Sequence, residues 1–101
     1  MGALRVARRK QKLWGDPGEL ESMKYVYILR SEKNPAQTYV GCTVNLNRRL
    51  RDHNSGQSEY TRQFMPWRLE TYLAFSEHSK AAAFEKYLKH GSGYAFLKRH
   101  F

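Results

Sequence analysis

The sequence predicts an α+β fold: a three-stranded, mostly antiparallel sheet flanked by helices, in the order β-β-α-β-α-α. Three observations carry that prediction. Two runs rich in β-branched and aromatic residues, KYVYILR at 24–30 and QTYVGC at 37–42, lie close enough to pair as a hairpin. A third run, WRLETYLAF at 67–75, sets Trp67, Leu69, Thr71, Leu73 and Phe75 on alternate positions, the period of a half-buried strand. Between and after these runs, apolar residues recur at helical spacing: Leu46 and Leu50 in one segment, and Ala81, Phe84 and Leu88 in another.

Taken in order, the first strand covers 24–30, and SEKNPA follows as a loop with Asn34-Pro35 as its turn signal. The second strand covers 37–42. Thr43 is the expected N-cap of a helix over 44–54. Residues 55–65 are polar and read as a loop, and the third strand covers 67–75. A helix is expected over 78–90, ended by Gly91 and Gly93, with a short final helix at 94–100. The first 22 residues differ from the rest. MGALRVARRKQKLW holds five basic residues and no acidic one, and GDPGELES follows as a turn-rich linker. We expect 1–22 to be a flexible basic extension and 23–101 to be the compact domain.

At 101 residues the chain makes one domain with a modest core. Its 18 Lys and Arg outnumber 9 Asp and Glu, for a net charge of +9. Removing 1–22 takes away five basic and three acidic residues and leaves +7, so the surplus belongs to the domain. Such a surplus favours a polyanionic partner, of which nucleic acid is the commonest. Cys42 is the sole cysteine, which excludes an intrachain disulfide and a cysteine metal cage and points to a reducing, cytoplasmic setting. No apolar run approaches the ~20 residues of a membrane span.

Helix geometry sorts the polar residues. At about 100° per residue, Arg49 and His53 fall beside the stripe of Leu46 and Leu50, whereas Arg48 and Arg51 face away, as a phosphate-tracking surface would. Arg62, Arg68, Lys86, Lys89, Lys98 and Arg99 add to that basic surface. Arg49 and His53 point toward the sheet, where a charge is costly without a partner or a task. The alternative is a snorkelling Arg49 and a hydrogen-bonded boundary His53. Glu85 borders the second helical stripe. It either pairs with Lys89 at i,i+4, worth only ~0.2–0.5 kcal/mol, or holds a hard cation through its carboxylate. In a hairpin, Tyr27 and Tyr39 reach a common face, as cross-strand packing or as part of a site. Gly41 leaves room for backbone to approach a ligand.

These residues, in this order, resemble the small single-domain members of the GIY-YIG nuclease family. Tyr25-Val26-Tyr27, followed by Ile28-Leu29, matches the first motif loosely, with Tyr25 where the motif has glycine. Tyr39-Val40-Gly41 matches the second motif closely. Arg49, ten residues after Tyr39, stands at the family arginine, and His53 stands four further on, where members carry His or Tyr. Glu85, within EKYLKHGSG, matches the metal-binding glutamate. The likeness spans 23–101. Cys42 stands where some relatives carry lysine, and no asparagine follows Glu85 where several relatives have one.

The resemblance implies a Mg²⁺- or Mn²⁺-dependent endonuclease that hydrolyses phosphodiester bonds of DNA, with RNA as the other candidate substrate. It implies catalytic roles for Tyr27, Tyr39, Arg49, His53 and Glu85, with Glu85 on the metal and Arg49 on the phosphate. The general base is Tyr27 or His53. An unperturbed tyrosine loses its proton only near pH ~10, a handicap histidine does not share. Arg48, Arg51, Arg62, Arg68, Lys86 and Lys89 are the expected nucleic-acid contacts. Two other readings stand beside this one: a nucleic-acid-binding module with the fold but little or no activity, and a subunit that acts with a protein partner or as a homodimer. No membrane association is expected.

Overall fold

The computed structural model describes residues 22–101, so the expected extension lies, apart from Ser22, outside the described residues. Strand β1 (Lys24–Ser31) is central, with β2 (Thr38–Thr43) and β3 (Trp67–Phe75) antiparallel on either side, giving the order β2-β1-β3. The helices are α1 (Leu46–Asn54), the one-turn α2 (Glu59–Arg62), α3 (His78–Lys89) and α4 (Gly91–His100). The fold is the expected α+β layer, with α2 added inside the polar 55–65 segment.

The central strand β1 is paired along both edges and covered on both faces. Val26 and Ile28 face one way and pack with Val40, Ala81, Leu88 and Leu97, the residues of β2, α3 and α4. Tyr27 and Leu29 face the other way with Trp67, against Tyr39, Leu46, Leu50, Phe64 and Met65. Each fully buried aliphatic side chain contributes roughly 1.5–3 kcal/mol. The β3 alternation does not keep to one face. The β1–β3 register slips between Ile28 and Leu29, which pair with Thr71 and Leu69 and leave Glu70 as the extra residue of a bulge. Trp67 therefore packs with Tyr27 and Leu29, whereas Phe75 packs with Val26 and Ile28.

Two helix ends differ from expectation. Asn45, not Thr43, caps α1: its backbone is extended, and its Oδ1 accepts from Arg48 N at 3.0 Å. Thr43 Oγ1 instead accepts from Asn45 N at 3.1 Å, shaping the turn that precedes the cap. Gly91 opens α4 as well as following α3, and Gly93 lies inside it. A Cβ on Gly93 would come within 1.7 Å of the Tyr87 carbonyl oxygen, so only glycine lets α4 pack this closely on the end of α3. A polar clasp then fixes α1 to β3. Asn54 Nδ2 donates to the Trp67 carbonyl at 2.9 Å, while Asn54 Oδ1 accepts from Trp67 N at 2.6 Å. One side-chain amide thus serves as backbone partner at the start of β3.

Candidate active site

Tyr27 sits in the middle of β1, directly opposite Gly41 of β2. A Cβ on Gly41 would lie 2.3 Å from the Tyr27 hydroxyl. The glycine is thus needed for the phenol ring, which lies across β2, rather than for a ligand. The ring is 2 % exposed, and its hydroxyl meets His53 Nε2 at 2.9 Å. The last turn of α1 supplies His53, itself 1 % exposed, and its other nitrogen, Nδ1, lies 2.8 Å from Thr61 Oγ1 on α2. Tyr39, two residues before Gly41, sets its ring 4.8 Å from the imidazole and 6.3 Å from Tyr27, tilted to both. Tyr60 and Trp67 lie around Tyr39 at 6.1 and 6.3 Å.

Arg49, one turn before His53, is the solvent-facing member of this group. Its side chain is 42 % exposed and lies 3.7 Å from Asp52. Burial pushes the Tyr27 hydroxyl up to about 12, against the pull of the hydrogen-bonding Arg49 guanidinium beside it. Burial also lowers His53, and the positive charge of Arg49 lowers it further. At neutral pH the pair is therefore an uncharged phenol against an uncharged imidazole, next to a fixed cation.

Glu85 arrives from the opposite layer. It lies on α3, the helix that packs on Val26 and Ile28. Its negative charge nevertheless reaches the edge strand β2 and the centre of the site. After burial, it is the leading cause raising Cys42, and it contributes to raising Tyr27. Its carboxylate accepts from Lys89 Nζ at 2.9 Å, and that ammonium also stands 5.9 Å from the Tyr39 ring centre. No group of three or more His, Cys, Asp or Glu able to hold a metal occurs among the described residues. A lone partly exposed carboxylate still fits a hard divalent cation such as Mg²⁺, which keeps several waters and takes further oxygens from a phosphate.

The predicted basic contacts divide. Arg48 and Arg51 are exposed on α1, and Lys86 and Lys89 are exposed on α3. Arg62 is exposed on α2, where it pairs loosely with Glu59 at 4.0 Å. Arg68 pairs with Glu70 on β3, the edge strand opposite β2, and is not brought to the tyrosines. Sequence reasoning missed Thr61 and Asn54. Both lie at or beyond the end of α1, where no periodicity marks a side chain as facing inward.

The chain is similar to known proteins over the described domain. The model of the GIY-YIG catalytic domain matches residues 23–94. A UPF0213 protein of Halalkalibacterium halodurans is 39 % identical over 67 residues, which cover 65 % of this chain and 69 % of that protein. A UPF0213 protein of Clostridium perfringens is 37 % identical over 68 residues, covering 66 % and 71 %. The structure-specific endonuclease subunit SLX1 of Malassezia globosa is 40 % identical over 62 residues, 58 % of this chain but only 14 % of that longer protein. No solved structure matches the chain. The family match covers most of the chain, including the strand pair that carries Tyr27 and Tyr39 and the helices that carry Arg49, His53 and Glu85; the chain belongs to the GIY-YIG catalytic-domain family.

Proposed function

We propose that this chain is a divalent-metal-dependent endonuclease that hydrolyses phosphodiester bonds of DNA. The observation that carries the reading is the buried hydrogen bond between Tyr27 and His53 beside the exposed Arg49. A hydroxyl and an imidazole in contact form a proton path, and the guanidinium at its mouth is suited to a phosphate. Relatives named as structure-specific endonuclease subunits support the endonuclease reading, and the exposed Arg48 and Arg51 of α1 suit a phosphate backbone.

The chemistry divides among the chain's own residues. Tyr27 alone is a poor base. With its proton held up to about 12, releasing it to solvent at pH 7 costs about 7 kcal/mol. That is more than the cost for an unperturbed tyrosine, so the site does not activate the phenol by lowering its affinity for the proton. His53 Nε2 supplies the acceptor instead. Tyr27 takes a proton from the attacking water as it gives its own to His53. Arg49 donates to a non-bridging phosphate oxygen and offsets the charge that develops there. Tyr39 walls the path with its ring. Glu85 would hold a Mg²⁺ or Mn²⁺ ion, which when bound stabilises negative charge on the phosphate and leaving oxygen.

The test is cleavage of labelled single-stranded, duplex and branched DNA at low salt with Mg²⁺ or Mn²⁺. Wild type runs beside Glu85→Ala and Arg49→Ala, each checked for folding. Metal-dependent cutting, reduced ~100- to 1,000-fold by Arg49→Ala and abolished by Glu85→Ala, is the expected result. DNA binding without cutting, unchanged by Glu85→Ala, would make the chain a binding module.

A further inference from the structure

We propose that Thr61 is a positioning residue for the proton path: its hydroxyl keeps the proton of neutral His53 on Nδ1 and leaves Nε2 free to take a proton from Tyr27. The inference deepens the nuclease reading and rests on it for the cleavage readout alone.

Donor counting sets the direction. The Ser58 carbonyl oxygen lies 3.4 Å from Thr61 Oγ1 and can only accept. With its hydroxyl proton directed at that carbonyl, which also accepts from Arg62 N at 2.9 Å, the Thr61 oxygen is left to accept from His53 Nδ1–H at 2.8 Å. A neutral imidazole that donates from Nδ1 carries its lone pair on Nε2, which faces the Tyr27 hydroxyl at 2.9 Å. The opposite tautomer would turn the Thr61 proton away from the Ser58 carbonyl toward Nδ1 and set an N–H against the phenol oxygen, which would then accept rather than donate. Burial makes these partners obligatory, because Thr61 is fully buried and His53 is 1 % exposed, so bulk water does not stand in for either. The Thr61 backbone is anchored in turn: its carbonyl accepts from Trp67 Nε1 at 2.8 Å. Arg49 and Asp52 are the charged groups that act on His53, but both ring nitrogens are taken by Tyr27 and Thr61.

The transfer balances. A water O–H bond breaks as a new Tyr27 O–H bond forms, and the original Tyr27 O–H bond breaks as the His53 Nε2–H bond forms. The electron pair left on the water oxygen makes the new P–O bond, and the leaving oxygen departs with the pair of the old one. Tyr27 ends as it began. His53 ends as imidazolium, still donating to Thr61 from Nδ1.

The tautomer is read directly from long-range ¹⁵N–¹H spectra of the full-length protein at pH 7.5, with His53 assigned by its loss in His53→Gln. The expected spectrum has a protonated Nδ1 and a bare Nε2, and a wild-type Nε2–H tautomer overturns the proposal whatever the cleavage assay gives. Thr61→Val keeps the side-chain volume and removes the hydroxyl. It should shift the tautomer signals and slow single-turnover cleavage ~10- to 100-fold, part of what general base catalysis supplies. Thr61→Ser should return both to near wild type. A Thr61→Val protein with wild-type tautomer and rate also overturns the proposal. If Thr61→Val does not fold, the wild-type spectrum decides. A wild type that holds the Nδ1–H tautomer but cuts nothing would keep the positioning role and remove the nuclease reading.

Discussion

Under α3 and α4 the sheet buries Val26, Ile28 and Val40 against Ala81, Leu88 and Leu97, an aliphatic centre rimmed by Phe75, Phe84 and Phe101. Under α1 it buries Tyr27, Leu29 and Trp67, and the buried polar residues Ser31, His53 and Thr61 all lie on that side. The first face asks only for volume and shape. The second must also satisfy each donor and acceptor it hides, and among the described residues no buried side-chain polar atom is left without a partner. An orphaned one would cost about 1–3 kcal/mol. One small sheet thus separates cohesion from chemistry, with Glu85 reaching across from the cohesive layer.

Three substitutions or conditions would break that division or sharpen it. Leu88→Ala strikes the aliphatic face at a fully buried site. It should cost about 2–5 kcal/mol in stability, read as a lower urea midpoint, while cleavage per folded molecule stays at wild type. A large loss of activity in the folded fraction would mean the faces are coupled. Gly41→Ala strikes the other face by setting a methyl group 2.3 Å from the Tyr27 hydroxyl. Moving the phenol off His53 should cost about 1–3 kcal/mol in stability, and the fall in cleavage rate should exceed it. Equal losses in both would show that the methyl group is accommodated without parting Tyr27 from His53.

The smallest effect is acidification. Burial, then the charge of Arg49, holds folded His53 below its ordinary value. The unfolded chain therefore binds more protons once the pH falls to about 6.5. Stability from this residue is complete above that pH and is lost as the pH drops toward the folded value. Cleavage should fall in the same direction, because protonated His53 no longer accepts from Tyr27. Hydrogen exchange at pH 7.5 and pH 5 should show α1 losing protection before α3. Loss in the reverse order would contradict the assignment of the titrating group to the aromatic face.

The strands and long helices were legible because their residues carry strong periodic or β-branched signals, as in KYVYILR and AAAFEKYLK. The β3 slip at Glu70 was not. Both faces of the sheet are covered, so Trp67 and Phe75 each find an apolar surface whichever way they point, and alternation alone hides the change of phase. Helical geometry turned His53 inward from sequence alone. It could not do the same for Thr61, which lies in a polar segment and meets His53 only after that segment folds back. Asn45 took the cap from Thr43 because both residues favour it, and the turn closed by Thr43 Oγ1 on Asn45 N carries the chain two residues further before the helix begins.

The clasp between Asn54 and Trp67 has a consequence for how this domain can vary. Its two hydrogen bonds tie the base of 55–66 shut, so the segment is a closed circuit whose ends are fixed independently of its contents. Within that circuit, Thr61 reaches the imidazole and Trp67 Nε1 holds the Thr61 carbonyl. Ser55 and Gln57 close the last turn of α1 through their N–H groups, while the exposed side chains of Gln57 and Gln63 can change charge without touching the strand or the histidine. The segment is thus anchored at both ends and at Thr61, and variation is confined to the side chains it turns to solvent.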